Sequence, residues 1–279
     1  MVAQDRPRSA RSFVKPRKFL CSAHSTGSCQ KGRCRADCSN FLRIGIRADR
    51  SPGVASRALC CESQVMYRPV AVKVCGMTRE SDVDLALELG ADYCGFIVYP
   101  KSPRGITIER ASELARRVPE GRRVLVDVES GAEELEQYRE AGFDYFQIHA
   151  RAEMGLVSLA AWAGLVGRDR LWLAPKLPPG EGISEMLPEF AQTILLDAFH
   201  RDKFGGTGQT GDWAGFARLR EEWPQLNWVL AGGLGPDNVL DALAATGAEQ
   251  IDINSGVETE PGVKDPAKLR ELFRRVKPD

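Results

Sequence analysis

Ala71-Val72-Lys73-Val74-Cys75-Gly76 is a short apolar run that ends on a thiol. Behind it, over Arg79–Leu89, Val83, Leu85, Ala86 and Leu89 make an apolar stripe beside the polar Glu80, Asp82 and Asp84. A second apolar run follows over 94–100. Strand, helix and strand in this order predict a βαβ unit, in which the helix carries the chain back so that the strands pair in parallel.

The alternation continues to the end of the chain. Apolar runs at 122–128, 145–150, 171–177, 193–198, 227–233 and 250–256 predict six further strands. Helical patterns fall at Ile108–Val118, Glu133–Ala141, Trp213–Glu222, Asp237–Ala245 and Pro266–Val276. Thr78, Thr107 and Pro236 stand as start signals before the first, second and seventh helices. Eight units repeating at roughly 25 residues predict a single closed (β/α)8 barrel, of α/β class, in preference to an open doubly wound sheet. The fifth helix is the weakest, because Leu177-Pro178-Pro179-Gly180-Glu181-Gly182 delays it.

The formal net charge of zero over 279 residues conceals a division. Residues 1–66 carry 13 Lys and Arg against 4 Asp and Glu, and residues 67–279 carry 25 against 34. Six of the eight cysteines (Cys21, Cys29, Cys34, Cys38, Cys60 and Cys61) also lie in the basic head. Lacking periodicity and a secretory apolar core, 1–66 is expected to be a disordered extension, transit-like or upstream of the true start at Met66. Its Cys spacing does not match a structural zinc site. The barrel domain is expected to span 67–279. Two cysteines in that body argue against a disulfide-stapled secreted fold and for a reducing compartment. The address expected is cytoplasmic, or plastid if the head is a eukaryotic transit peptide. No run reaches the ~18 apolar residues of a membrane helix. The acidic body with no basic stripe argues against nucleic acid as a partner.

A buried apolar strand has no packing reason to finish on Cys75, nor Thr193-Ile194-Leu195-Leu196-Asp197 on a carboxylate. In a parallel barrel the carboxyl ends of strands carry the chemistry. Cys75 and Asp197 therefore read as a proton-transfer pair. Lys73, two residues before Cys75, falls on the same strand face and favours a thiolate. Glycine turns close the late strands: Phe204-Gly205-Gly206-Thr207-Gly208, Ala231-Gly232-Gly233-Leu234 and Asn254-Ser255-Gly256-Val257. Their backbone N–H groups suit a phosphate, commonly held after strands seven and eight. There is no GxxxxGK[ST] loop, so nucleotide hydrolysis is not indicated. His149 reads as a structural hydrogen-bonder, Cys94 as a small buried hydrophobe and Trp162, Trp172, Trp223 and Trp228 as packing residues. His200 has no partner visible in the sequence.

Taken in order, these stretches resemble the phosphoribosylanthranilate isomerase family of tryptophan biosynthesis. The resemblance rests on Lys73-Val74-Cys75-Gly76-Met77-Thr78, Gly95-Phe96-Ile97-Val98-Tyr99-Pro100-Lys101-Ser102-Pro103-Arg104, Leu195-Leu196-Asp197 and Gly205-Gly206-Thr207-Gly208. It extends through Ala231-Gly232-Gly233-Leu234 and Asp252-Ile253-Asn254-Ser255-Gly256-Val257-Glu258 to Pro261-Gly262-Val263-Lys264-Asp265. It implies an Amadori rearrangement of N-(5-phosphoribosyl)anthranilate to 1-(2-carboxyphenylamino)-1-deoxyribulose 5-phosphate. Cys75 maps to the family's base at C2 and Asp197 to its acid at the ring oxygen, the latter requiring a carboxyl pKa raised by burial. Arg104, otherwise a solvated loop arginine, maps to the anchor for the anthranilate carboxylate. Gly206, Thr207, Gly208, Gly232, Gly233, Ser255 and Gly256 would hold the phosphate. The rearrangement moves only protons, so no cofactor or metal is expected. The expected partner is the small phosphosugar-anthranilate substrate, with association with other tryptophan-pathway enzymes left open.

Strands three and four depart from the family. Val124-Leu125-Val126-Asp127-Val128-Glu129 replaces the usual Gly-Val-Phe-Val-Asn, and Gln147-Ile148-His149-Ala150 replaces Gln-Leu-His-Gly. Asn254 stands where Ser is usual, and Asp252 has no assigned role. Other phosphate-binding barrel enzymes use an aspartate pair or lysine and glutamate, which Cys75 disfavours. A phosphate-binding barrel without turnover is the non-enzymatic alternative.

Overall fold

A computed structural model describes residues 70–151, 153–197 and 211–278. The basic head, its boundary with the barrel, His200 and the glycine turn 204–208 lie outside the described residues. Eight strands close into a barrel in sequential order: β1 (Ala71–Val74), β2 (Tyr93–Ile97), β3 (Arg123–Val128), β4 (Tyr145–Arg151), β5 (Leu171–Lys176), β6 (Thr193–Leu196), β7 (Asn227–Leu230) and β8 (Gln250–Ile253). The pairs are parallel, and β1 closes on β8 with Lys73 opposite Asp252. Between and after them run α1 (Glu80–Glu88), α2 (Ile108–Ala115), α3 (Ala132–Glu140), α4 (Leu156–Val166), α5 (Leu187–Phe190), α6 (Trp213–Glu222), α7 (Val239–Thr246) and α8 (Pro266–Val276). A small hairpin, β9 (Glu258–Glu260) with β10 (Val263–Lys264), follows β8. The (β/α)8 architecture is the one expected.

Differences from the expected elements have local causes. Helix α4 is additional to the expected helices, because LVSLAAWAGLV is apolar almost throughout and shows no periodic contrast. Helix α5 is a single turn, as the Pro-Gly stretch before it implied. Thr107 caps α2 by accepting from the Arg110 N–H. Thr78 does not cap α1: its hydroxyl donates to the Gly262 carbonyl, and the helix starts after an extended Arg79. Pro236 precedes α7 by more than expected, since Asn238 is the boundary residue. Strands β1, β2, β5, β6, β7 and β8 end earlier than their apolar runs. Ladder pairing stops before Cys75, Asp197, Gly232 and Ser255, which leaves all four on the loops of one rim.

Side-chain alternation sorts the residues between two cores. Val72, Val74, Cys94, Phe96, Phe146, Ile148, Leu171, Leu173, Ile194, Trp228 and Ile251 join the layer between barrel and helices. Trp162 is buried in the same layer, and Trp223 packs against it. Cys75, Ile97, Val124, Val126, Trp172, Ala174, Leu195 and Val229 fill the barrel interior. Tyr93, Tyr145 and Trp172 close its amino-terminal end, with ring centroids 5.0–5.6 Å apart. The opposite end stays open.

Candidate active site

That open end is a cavity of about 450 Å³ lined by Cys75, Arg104, Asp197, Gly232, Gly233 and Ser255 among others. Six of the residues singled out from sequence thus come together from the ends of β1, β2, β6, β7 and β8. Gly256 is not on the cavity wall. A side chain there would run into the Leu234 carbonyl oxygen, so its glycine serves close packing of the β8 loop on the β7 loop. Gly206, Thr207 and Gly208 fall outside the described residues.

The β1 side of the cavity is charged beneath its surface. Lys73, fully buried, reaches across the barrel seam to Asp252, with Nζ 2.9 Å from Oδ1. Gly95 on β2 permits this, because a Cβ there would lie 2.9 Å from both Cys75 Sγ and Lys73 Nζ. Lys73 therefore does share the face and neighbourhood of Cys75, as the strand spacing required.

Its effect on the thiol differs from the expectation. Burial pushes the Cys75 pKa up, the Asp252 carboxylate adds to this, and Lys73 and Lys264 offset only part. The charge of Lys73 is already engaged by Asp252, so the resting side chain is a thiol. Burial disfavours the Lys73 ammonium, yet Asp252 and Cys75 outweigh it and hold its pKa above the ordinary value. Asp252 itself is raised by burial against the pull of Lys73.

Arg104 sits in a turn after β2, where its backbone N–H bonds Ser102 Oγ at 3.2 Å. It is not a solvated loop residue: it is 6 % exposed and bonds Glu258 side-on. Arg104 Nε donates to Glu258 Oε1 at 2.9 Å and Oε2 at 3.0 Å, and Nη2 donates to Oε2 at 2.6 Å. Lys264 Nζ adds bonds to Glu258 Oε1 at 2.8 Å and Asn254 Oδ1 at 2.9 Å. Burial works against the Glu258 carboxylate, but Arg104 and Lys264 together bring its pKa below the ordinary range. Burial lowers that of Lys264 despite Glu258.

On β4, Gln147 Nε2 and His149 Nε2 lie 2.9 Å apart, and both residues line the cavity. Burial, helped by Lys73, pushes the His149 pKa down to about 4, so its imidazole is neutral at pH 7. Gln147 Oε1 is buried without a hydrogen-bond partner. Asp127, the departure on β3, has its carboxylate tied to Ser130 Oγ at 2.6 Å and to Tyr138 of α3. It is anchored to the helical layer. Cys94 is fully buried, and burial raises its pKa to about 12.

In the sequence Glu258 and Lys264 stand in a family motif with no role attached, and Gln147 in a variant strand. The pairing of Glu258 with Arg104 spans 154 residues, which no local pattern signals. Among the described residues no His, Cys, Asp and Glu group has the geometry to hold a metal, and no helix is long and apolar enough to cross a membrane.

Residues 72–275 match the family model of N-(5'phosphoribosyl)anthranilate (PRA) isomerase. The N-(5'-phosphoribosyl)anthranilate isomerase of Syntrophus aciditrophicus is 38% identical over 214 residues, covering 74% of this chain and 86% of that protein. The corresponding protein of Aquifex aeolicus is 35% identical over 211 residues, covering 75% and 98%. The phosphoribosyl anthranilate isomerase of Thermus thermophilus superposes with a TM-score of 0.63 at 31% identity, covering 74% of this chain and 98% of that one. A phosphoribosyl anthranilate isomerase in complex with reduced 1-(o-carboxyphenylamino)-1-deoxyribulose 5-phosphate gives 0.58 at 28% identity, covering 75% and 98%.

Proposed function

Since the chain belongs to the phosphoribosylanthranilate isomerase family, and is thereby an isomerase of tryptophan biosynthesis, we propose that Cys75 and Asp197 carry its proton transfers, with Arg104 and the β7–β8 rim binding the two ends of the substrate. The reaction is the Amadori rearrangement of N-(5-phosphoribosyl)anthranilate. What carries the residue assignment is one observation: a thiol, a carboxylate and a guanidinium from distant strands border a single cavity.

Asp197 donates a proton to the ribose ring oxygen while the anilino nitrogen lone pair forms the C1=N bond, which opens the ring. Cys75, as thiolate, removes the proton from C2, and the electron pair of that bond neutralises the iminium to an enolamine. Loss of the C2 hydroxyl proton and protonation at C1 yield the ketose. Arg104 holds the anthranilate carboxylate, since a guanidinium suits a planar carboxylate. Backbone N–H groups of Gly232, Gly233 and Ser255 approach the phosphate, and Gly206, Thr207 and Gly208, which lie outside the described residues, are proposed for the same group.

The catalytic unit is the barrel from residue 67 onward, the head contributes nothing to turnover, and the enzyme acts in the cytoplasm on a small molecule. A fluorescence assay following consumption of freshly made phosphoribosylanthranilate tests the activity. Folded protein without turnover would overturn it.

A further inference from the structure

The residues behind Arg104 form a buried charge cluster whose signs do not balance. Lys73 and Asp252 cancel as one pair. Arg104, Glu258 and Lys264 make a second group, two cations on one carboxylate, with Nη2–Oε2 2.6 Å and Nζ–Oε1 2.8 Å. Side-chain exposure is 7% for Arg104, 4% for Glu258 and nil for Lys264, so solvent screens none of them well.

Glu258 is saturated. It accepts from Arg104 Nε and Nη2, from Lys264 Nζ, and from the Gly262 N–H at 3.2 Å. Two consequences follow from this geometry. The side-on bond fixes the guanidinium plane through Nε and Nη2 and leaves Nη1 outside the Glu258 contacts. Lys264 also offsets the charge that Glu258 would otherwise set against Arg104. Of the three residues only Arg104 borders the cavity. Cys75 supplies no resting negative charge, because burial keeps it a thiol. A surplus buried positive charge is costly unless an anion completes it.

We propose that Lys264 and Glu258 are positioning residues for the substrate carboxylate: Glu258 orients Arg104, and Lys264 offsets Glu258 so that Arg104 presents a net positive charge to the cavity. The inference rests on the isomerase reading, in which the ligand bears an anthranilate carboxylate. It places the specificity for that group in the β9–β10 hairpin, away from the cavity wall.

The test compares two ligands by calorimetry on the full chain: reduced 1-(o-carboxyphenylamino)-1-deoxyribulose 5-phosphate, and its phenylamino counterpart without the carboxyl group. The wild type should prefer the carboxylate-bearing ligand. Lys264→Met makes the Arg104–Glu258 group neutral and should shrink that preference roughly tenfold or more, with the phenylamino ligand little affected. Glu258→Gln combined with Lys264→Met restores the single positive charge and should recover much of the preference. Equal losses for both ligands, or no recovery in the double variant, would reduce the hairpin to scaffolding and overturn the proposal. Lys264→Gln replaces the Met variant should circular dichroism show that one unfolded. Wild type that neither turns over phosphoribosylanthranilate nor binds either ligand would overturn the isomerase reading. A turning-over wild type whose ligand preference survives Lys264→Met would overturn this inference alone.

Discussion

Lys73 Nζ meets Asp252 Oδ1 at 2.9 Å across the seam where β1 closes on β8, directly beneath the Cys75 thiol. A single ammonium thus serves both the closure of the barrel and the electrostatics of the proposed base. Its loss should be felt in both.

Lys73→Met leaves Asp252 buried without its cation, and breaking one side of such a pair costs about 3–5 kcal/mol. Urea unfolding should show a drop of that size. Lys73→Met with Asp252→Leu, which removes both charges, should recover most of it. Equal stability of the single variant and wild type would show that the pair carries no such weight.

The pH profile follows from the raised Cys75 pKa. The thiolate is the form that an alkylating agent captures, and it falls tenfold for each unit below the pKa, so the rate at which iodoacetamide alkylates Cys75 should climb with pH from 7 through 9 without a plateau. Asp252 is the second cause of the elevation. Asp252→Asn should therefore move the limb to lower pH. An alkylation rate already level above pH 7 in wild type would contradict a thiol held protonated by burial and Asp252.

Cys75→Ala and Asp197→Ala should each lower kcat by at least the ~10²-fold typical of a lost acid or base, with the barrel still folded by circular dichroism. Full activity in either variant would remove that residue from the mechanism.

Arg104→Lys keeps the charge but loses the planar fork that Glu258 grips through Nε and Nη2. Steady-state kinetics should show KM rising by roughly tenfold and kcat changing less, the mark of lost binding common to ground and transition states. An unchanged KM would place the carboxylate elsewhere.

A chain beginning at Met66 should match the full chain in kcat/KM. A large loss would give the basic head a part in the activity.

Much of the site was legible because it lies on regular elements. Period-two alternation places Lys73 and Cys75 on one face of β1, and the closed sheet turns that face inward. The glycine turns at 232–233 and the loop arginine at 104 follow strand ends that the apolar runs mark. Less legible was anything set by pairing across the barrel. Asp252 is 179 residues from Lys73, and Glu258 is 154 residues from Arg104, so neither partner is visible in a local pattern. The thiol went the same way: two-residue spacing shows Lys73 beside Cys75 but not the carboxylate that takes its charge.

The order of apolar runs and amphipathic stripes by itself determined the barrel, because each unit carries the periodicity of its own strand and helix and parallel strands need the helix between them. It also determined which rim bears the reactive side chains. Tertiary structure alone decided their state. Burial raised the thiol, Asp252 engaged the lysine expected to lower it, and Glu258 with Lys264 set the plane and the net charge of Arg104. Those outcomes depend on distances between strands remote in sequence and on the exclusion of water, and neither exists until the barrel closes.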